Sequence, residues 1–294
     1  MKIYSNYLPI ERYNFFIGNK EKYKNIPITI FNDKVPNIDE LKENPINILI
    51  LNEPNEFFGL HDFAINNKYA FNIILTWSDN ILRECENSML FIHGETNLDK
   101  TYIDKYQVNP LRQFEVTFLS GILEILEGHK LRQRISTKDL DIIVPHKWWK
   151  TLDDFDHVRG QRPGYFEEKM TIYGNPIEGE GKKQIWNRNS MFHVAVENSQ
   201  HLNYYTDKIM DCFATKTIPI YWGAPNIGEH FNKDGIITFQ NENELVEILN
   251  NLTKEDYTKR LEAIEENYML LNKKGFFFKR LETFLDELIK INNL

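Results

Sequence analysis

The sequence predicts an α/β fold with mostly parallel sheets, and three observations support this fold class. Short apolar runs rich in β-branched residues alternate with segments of helical periodicity along most of the chain. Hydrophobic residues make up 41% of the 294 positions, which is enough to form a large buried core. The length fits two domains of about 150 residues, with one large domain as the alternative.

The elements follow from the period of the apolar positions. Strands are predicted at Ile46–Asn52, Phe71–Trp77, Phe114–Leu119, Phe192–Val196, Ile218–Trp222 and Gly235–Phe239. Helices are predicted at Asp39–Glu43, Asp79–Glu86, Gly128–Ile135, Tyr205–Thr215, Glu242–Leu252, Lys254–Leu271 and, with one apolar face, Phe276–Leu294. Gly, Pro and charged residues are frequent in residues 150–184. We interpret this segment as a loop with one short strand at Met170–Tyr173.

Composition and charge exclude several classes of protein. The net charge is −8, from 35 Lys and Arg residues against 43 Asp and Glu residues, which argues against general nucleic-acid binding. The two cysteines, Cys85 and Cys212, form no CxxC motif, which argues against a disulfide framework or a zinc site. The N-terminal segment lacks the pattern of a signal peptide, and no window approaches 18 uninterrupted apolar residues. We therefore expect a cytoplasmic protein with no membrane span and no nucleic-acid partner.

The segment Phe192–Phe239 predicts a ligand site where strands end and helices begin. Its first strand ends in Glu197-Asn198-Ser199, and a helix follows for which Thr206 or Asn203 is the predicted N-cap. Parallel sheets bind ligands at such corners, and the free N–H groups of a helix start attract phosphate. Lys208 lies in the first turn, where a cation opposes the helix dipole, so its position indicates an anion nearby. The next strand ends in Gly223-Ala224-Pro225, where Gly223 allows close backbone approach to a nucleotide.

Three ordered blocks of this segment resemble the donor-binding half of the family 10 glycosyltransferases, the α-1,3/1,4-fucosyltransferases. FHVAVENS, YYTDK and IPIYWG correspond to that family's F-x-x-x-F-E-N-S, Y-[VI]-T-E-K and [VI]-P-[IV]-x-x-G. The likeness is strong over Phe192–Phe239 and weaker from Phe114 to the C-terminus. It implies a GT-B fold, in which two Rossmann-like domains face a cleft, and transfer of fucose from GDP-fucose with inversion.

The resemblance also implies roles for individual residues. By motif position, Tyr204, Asp207 and Lys208 contact the nucleotide sugar, and Lys208 neutralises the diphosphate. Glu197 and Asn198 fall on the family's Glu-Asn pair at the same pocket. Asp207 stands where the family has Glu, which shortens the side chain by one methylene and leaves the donor sugar open.

A further cation is predicted from the segment GHKLRQRI, which follows the strand FEVTFL. The family carries an arginine after a comparable strand, which implies a diphosphate contact for Arg132, with Arg134 as the second choice. A guanidinium suits a leaving phosphate because it offers a charged bidentate fork. The alternative is that Lys130, Arg132 and Arg134 form a solvated helix face.

An inverting transfer needs a base for the acceptor hydroxyl, and carboxylates after the two N-terminal strands are the candidates. Asp79 follows FNIILTW and is slightly favoured, although it is at least as well explained as a first-turn residue of a helix. Glu53 follows INILILN and is nearly as good, with Glu56 behind it. His61 and His93 are further alternatives, although a lone histidine is more often structural.

The predicted organisation follows the implied fold. Residues 1–110 form an acceptor-side domain, 111–275 bind the nucleotide sugar, and the helix 276–294 returns to the first domain. The expected partners are a nucleotide-sugar donor and an oligosaccharide or glycoconjugate acceptor. No metal is strictly required, with Mn²⁺ or Mg²⁺ at most stimulatory, because the Asp-x-Asp patterns at 139–141 and 153–156 arise easily by chance.

Two alternatives stay open at this level. One is a GT-B transferase that uses another GDP- or UDP-sugar. The other is a catalytically inactive protein that binds a glycan or a nucleotide. The segment GNPIEGEG at 174–181 is either a lid over the donor or a surface loop.

Overall fold

The computed structural model describes residues 1–6, 10–14, 17, 20–42, 45–94, 96, 112–137, 140–150, 189–274 and 277–292. The chain divides into two compact units. Unit 1 comprises Met1–His93, Leu202–Tyr204 and Gly275–Leu294, and unit 2 comprises Gly94–His201 and Tyr205–Lys274. The predicted domain boundary between 110 and 111 lies outside the described residues and stays a prediction.

Unit 1 contains a five-stranded parallel sheet with the order β1-β2-β3-β4-β5. Its strands are β1 (Lys2–Ser5), β2 (Ile28–Asn32), β3 (Ile46–Leu51), β4 (Ile73–Thr76) and β5 (Ser88–Leu90). Its helices are α1 (Ile10–Tyr13), α2 (Ile38–Lys42), α3 (Asn55–Phe58), α4 (Leu60–Asn66), α5 (Asp79–Glu84) and the C-terminal α12 (Phe277–Asn292). Short 3₁₀ turns lie at Glu21–Tyr23 and Lys68–Ala70.

The core of unit 1 lies on both faces of this sheet, which explains why β3 reads as a continuous apolar run. Side chains alternate between the faces. Ile48 and Ile50 pack in one cluster with Phe277 of α12, whereas Leu49 and Leu51 pack in the other. The apolar face of α12 therefore belongs to the core of the first unit.

Unit 2 contains a second five-stranded parallel sheet with the order β10-β9-β8-β6-β7. Its strands are β6 (Gln113–Ser120), β7 (His146–Lys150), β8 (Ser190–Val196), β9 (Ile218–Trp222) and β10 (Ile237–Thr238). Its helices are α6 (Glu127–Thr137), α7 (Asp207–Thr215), α8 (Ile227–His230), α9 (Glu242–Asn251), α10 (Lys254–Thr258) and α11 (Leu261–Lys274), with a 3₁₀ turn at Lys233–Gly235.

The predicted α/β class with parallel sheets is confirmed, and several elements differ in extent. The predicted helix Lys254–Leu271 is two helices, α10 and α11, and the sequence holds neither Gly nor Pro at the break to signal it. Strands β1, β2, β5 and β7 were not predicted, because their runs are short or interrupted by polar residues. The predicted strand Met170–Tyr173 and the segment 174–181 lie outside the described residues.

Thr206 is the N-cap of α7, as one of the two sequence alternatives predicted, and its side chain accepts from the backbone N–H of Lys208. Asn203, the other alternative, adopts a positive φ of 64° in the turn before it. Among the described residues, no helix is long and apolar enough to cross a membrane.

Candidate active site

The corner between β8 and α7 is organised around the side chain of Glu197, which is fully buried. Its Oε1 accepts from the backbone N–H of Thr206 at 2.9 Å, and its Oε2 accepts from the Thr206 hydroxyl at 2.6 Å. The backbone N–H of Glu197 donates to the carbonyl of Trp222 at 2.8 Å, at the end of β9. One buried carboxylate thus ties the end of a strand to the start of a helix.

Lys208 lies in the first turn of α7 with its side chain 23% exposed. Its Nζ is 3.1 Å from the Thr206 hydroxyl, 3.6 Å from Oε2 of Glu197 and 3.9 Å from Oδ1 of Asp207. The protein therefore supplies two anions beside this cation, so the place of Lys208 in the helix does not by itself require a bound phosphate. The ammonium group still reaches solvent at a helix N-terminus, where an anionic ligand is favoured.

Gly223 is required by close packing after β9. A Cβ at this position would collide with the ring and hydroxyl of Tyr221 and would lie 2.5 Å from Cγ of Glu197. The Tyr221 hydroxyl accepts from the backbone N–H of Ala224 at 3.0 Å. Burial, and then the charge of Glu197, raises the pKa of Tyr221 well above its ordinary value, so its hydroxyl stays protonated. Gly223 serves this packing, and its predicted contact with a nucleotide stays a prediction.

Arg132 lies on α6 and points its guanidinium at the end of β8. Nη1 donates to the carbonyls of Val196 at 2.6 Å and Glu197 at 3.2 Å, and Nη2 donates to Oδ1 of Asn198 at 2.9 Å. Arg132 is buried, so it is not part of a solvated helix face. These contacts fix the Glu197-Asn198 turn, and the diphosphate contact of Arg132 remains a prediction.

Arg134 occupies a different environment on the same helix. It forms ion pairs with Glu127 at 2.9 Å and Glu242 at 2.8 Å, and its side chain is 36% exposed. The alternative that these cations form a solvated helix face therefore holds for Arg134 but not for Arg132.

His129 was missed by sequence reasoning, although it lies in the first turn of α6. Its Nδ1 accepts from the backbone N–H of Leu126 at 3.0 Å. Burial, together with Arg132 and Lys208, lowers the pKa of His129 to about 3, so the ring is neutral at physiological pH. The sequence GHK, two residues before Arg132, could have drawn attention to His129. The influence of Lys208 on His129 depends on the fold and could not be predicted.

The two candidate bases lie in unit 1, each just after a strand as predicted. Glu53 follows β3, and its backbone carbonyl is 3.1 Å from Nε2 of His61. Its Oε2 accepts from the hydroxyl of Tyr204 at 3.5 Å. Asp79 is the first residue of α5, with Ser78 as N-cap, and its Oδ1 accepts from Nδ2 of Asn203 at 3.1 Å.

Tyr204 is placed apart from the other predicted donor-binding residues, because Leu202–Tyr204 belong to unit 1. Its ring is buried and packs against Trp77, with ring centroids 4.9 Å apart. Glu197, Asn198, Asp207, Lys208, Arg132 and Gly223 belong to unit 2. The structure thus groups Tyr204 with Glu53.

Asp33 is a second residue that sequence reasoning missed. It follows β2, is fully buried, and adopts a positive φ of 46°. Its Oδ1 accepts from the backbone N–H groups of Asn52 at 2.8 Å and Glu53 at 3.2 Å. Burial, and then Glu53, raises the pKa of Asp33 well above its ordinary value. The available signal in the sequence was the run ITIFND, in which an acidic residue directly follows a short β-rich segment.

No cluster of three or more potential metal-binding side chains occurs among the residues that the structure describes. Asp139, Asp153 and Asp156 of the Asp-x-Asp patterns lie outside those residues. The expectation that no metal is strictly required stays a prediction.

The family model described as "Glycosyltransferase family 10 (fucosyltransferase) C-term" matches residues 167–261. This match confirms the resemblance that the three sequence blocks predicted for the C-terminal half. The α-(1,3)-fucosyltransferase FucT of Helicobacter pylori is 33% identical over 96 residues, covering 31% of this chain and 20% of that protein. A putative fucosyltransferase of Acanthamoeba polyphaga mimivirus is 37% identical over 222 residues, covering 73% of this chain and 32% of that protein. The chain therefore spans a third or less of the length of these curated relatives.

A crystal structure of an alpha1,3-fucosyltransferase is similar over 97% of this chain and 88% of that one, with a TM-score of 0.52 and 15% identity. At this identity the likeness concerns the fold alone. It confirms the GT-B fold class, with two parallel sheets in separate units.

Proposed function

We propose that the protein is an inverting glycosyltransferase that transfers fucose from GDP-fucose to a hydroxyl group of a glycan. The observation that carries this proposal is the β8–α7 corner, where Lys208 stands at the first turn of a helix within the segment that matches the fucosyltransferase family. The names of the relatives agree with this activity.

In the proposed reaction, unit 2 holds the donor. The ammonium group of Lys208 stabilises the negative charge that develops on the diphosphate as the bond from the anomeric carbon to its oxygen breaks. The electron pair of that bond leaves with GDP. Asp207 lies beside Lys208, and we propose that it contacts the ribose or the sugar.

Unit 1 supplies the base in this proposal. Glu53 or Asp79 takes the proton of the acceptor hydroxyl while the hydroxyl oxygen forms the new bond to the anomeric carbon. One bond forms and one breaks on opposite faces of the sugar, which inverts the configuration. The proposal also includes a cytoplasmic location and an oligosaccharide or glycoconjugate as the acceptor.

The first test is a thermal shift with GDP, UDP, ADP and CDP at matched concentrations, with and without Mn²⁺. A ligand at 100 times its dissociation constant adds about 2.7 kcal/mol of stability. We expect stabilisation by GDP above the other three, and release of GDP from GDP-fucose with water as the acceptor. A preference for UDP would indicate that the donor is a UDP-sugar. GDP binding without any turnover would favour the alternative of a catalytically inactive binding protein.

Lys208→Ala tests the donor site directly. Removal of one donor that stabilises developing charge typically lowers kcat by about 100-fold or more, and we expect that loss here. Lys254→Ala is the matched control, because Lys254 is an exposed lysine on another helix of unit 2. Equal activity of the two variants would contradict the proposed role of Lys208.

A further inference from the structure

The carboxyl edge of the unit 1 sheet holds two carboxyl groups in contact with the same turn. Asp33 follows β2, and Glu53 follows its neighbour β3. Oδ1 of Asp33 accepts from the backbone N–H groups of Asn52 and Glu53, so this one oxygen fixes the turn that carries Glu53. The backbone N–H of Asp33 donates to the carbonyl of Ile50 at 2.9 Å, which extends the pairing of the two strands.

The other oxygen, Oδ2 of Asp33, is buried and has no hydrogen-bond partner in the part of the chain that the structure describes. A buried carboxylate with an unsatisfied oxygen is costly, whereas a neutral carboxylic acid is tolerated much better. No Lys or Arg of the described residues forms an ion pair with Asp33, and the charge of Glu53 acts to raise its pKa. Two carboxyl groups whose charges interact favour a state in which one of them holds a proton.

The surroundings decide which of the two is neutral. Asp33 is fully buried, whereas the side chain of Glu53 is only partly buried and accepts from Tyr204. Among the residues that the structure describes, His61 and Tyr13 also lie at this edge: Nε2 of His61 is 3.1 Å from the carbonyl of Glu53, and the Tyr13 hydroxyl accepts from the side-chain amide of Asn32. Neither of them places a cation against Asp33. The proton therefore belongs on Asp33, the more buried member of the pair.

We propose that Asp33 is a positioning residue that stays neutral and holds Glu53 in place as the base of the transfer reaction. This inference rests on the proposed function and sharpens it, because it selects Glu53 rather than Asp79. Asp79 has no comparable support, since it begins a six-residue helix and contacts the amide of Asn203.

The choice of base is tested with Glu53→Gln against Asp79→Asn, which make the same change of carboxylate to amide in the same unit. We expect Glu53→Gln to lower kcat for GDP-fucose hydrolysis by about 100-fold or more, the usual contribution of a general base. Asp79→Asn should lower kcat at least tenfold less than Glu53→Gln does, and neither variant should change the thermal shift caused by GDP. The reverse order of the two losses overturns the proposal.

The role of Asp33 is tested with Asp33→Asn and Asp33→Gly. Asn keeps a neutral group with an acceptor oxygen, and both Asn and Gly tolerate the positive φ. We expect Asp33→Asn to keep kcat within about threefold and Asp33→Gly to lower it by about tenfold or more, because a misplaced base loses alignment. KM for GDP-fucose should stay unchanged in both. If Asp33→Gly has a normal kcat, Asp33 contributes only to the conformation of the turn, and the proposal is overturned.

The acid limb of the kcat profile reports the charge of Asp33. If Asp33 is neutral, Asp33→Asn leaves this limb unchanged. If Asp33 is charged, its removal takes a negative charge away from Glu53, and the limb moves to lower pH. A downward shift therefore overturns the proposal even where Asp33→Gly fails to fold.

A readout independent of turnover separates this inference from the proposed function. The infrared spectrum at neutral pH should contain a protonated carboxylic-acid band that is absent from Asp33→Asn. Its absence from the wild-type protein overturns the inference. Failure of GDP to stabilise the wild-type protein overturns the proposed function instead.

Discussion

Each unit places a buried carboxyl group after a parallel strand, and the two groups meet opposite surroundings. In unit 2, Glu197 accepts two hydrogen bonds from Thr206 and has the ammonium group of Lys208 at 3.6 Å. In unit 1, Asp33 accepts two backbone hydrogen bonds through one oxygen, and its other oxygen lies buried near a second carboxylate. The same position in the topology thus serves different chemistry, because the residues that face it come from other elements.

The largest expected effect distinguishes these two carboxyl groups by stability. Glu197→Ala leaves the buried N–H and hydroxyl of Thr206 without their acceptor and removes one of the two anions beside Lys208. Loss of one member of a buried charged pair costs about 3–5 kcal/mol. Asp33→Asn should leave the protein at least as stable as the wild type at neutral pH, since a neutral group replaces a neutral group in the fold and the unfolded chain can no longer ionise at this position.

Urea unfolding measures both changes, with circular dichroism as the signal. Similar losses in the two variants would remove the contrast between the corners. A smaller loss in Glu197→Gln than in Glu197→Ala is expected as well, because glutamine retains one acceptor oxygen for Thr206.

The second effect is an opposite response of the units to pH. The pKa of His129 is about 3 in the folded protein and 6.5 as the ordinary value, so between these values the unfolded chain binds more protons. The stability that this group contributes is fully present above pH 6.5 and falls by about 1.4 kcal/mol per unit as the pH drops toward 3. His129→Gln should remove this acid sensitivity from unit 2.

Asp33 has the reverse sign. Its pKa is raised above the ordinary value of 3.8, so above that value the folded protein holds the proton more tightly than the unfolded chain. Its contribution to stability is fully present below pH 3.8 and is lost as the pH rises through the folded pKa. Hydrogen exchange of peptides from each unit, from pH 4 to pH 9, follows both trends, and Asp33→Asn should flatten the alkaline decline in unit 1. Parallel pH trends in the two units would contradict both assignments.

The sequence was sufficient to predict those features that depend only on residues close by in the chain. The strand Ile218–Trp222 and the positions of Glu53 and Asp79 after strands follow from local pattern, and the structure agrees with them. For the N-cap of α7 the sequence left Thr206 and Asn203 open, and the structure selects Thr206. Arg132 was also selected from sequence. Its actual partners, the carbonyls that end β8, lie 64 and 65 residues away and leave no local signal.

Asp33 shows why the rest was out of reach. Its neighbours in the sequence, Asn32 and Lys34, predict an ordinary polar turn. Its burial and its contact with Glu53 arise only because β2 and β3 pair in one register. The same holds for His129, whose pKa is lowered by burial, by Arg132 and by Lys208, a residue on a helix that is distant in the sequence.

The third effect tests the close approach of backbone to backbone in unit 2. A Cβ at Gly128 would collide with the carbonyl of Glu197 and approach the carbonyl of Asn198 at 2.8 Å. Gly128→Ala should therefore destabilise the protein by about 1–3 kcal/mol, as overpacking does, and should displace the Glu197-Asn198 turn. GDP should then stabilise the variant less than it stabilises the wild type.

Gly228→Ala is the matched control, because the nearest atom to its Cβ is 3.6 Å away, which is ordinary van der Waals contact. Its free energy of unfolding and its GDP shift should both stay close to wild type. Equal behaviour of the two alanine variants would mean that the Glu197-Asn198 turn tolerates displacement.

The smallest effect belongs to the charges at the surface of unit 1. Lys22 lies 3.0 Å from Glu282 and 2.8 Å from Asp286 of α12, but Lys22 and Asp286 are each nearly half exposed. Solvent and salt screen such pairs, so Lys22→Gln should cost less than about 1 kcal/mol and less still at 1 M salt. Tyr23→Phe, which removes a 2.6 Å hydrogen bond to Asp286 from a buried ring, should cost about 1 kcal/mol with little dependence on salt. Urea unfolding at two salt concentrations compares them, and a larger loss in Lys22→Gln would show that exposed charge outweighs the buried hydrogen bond in holding α12.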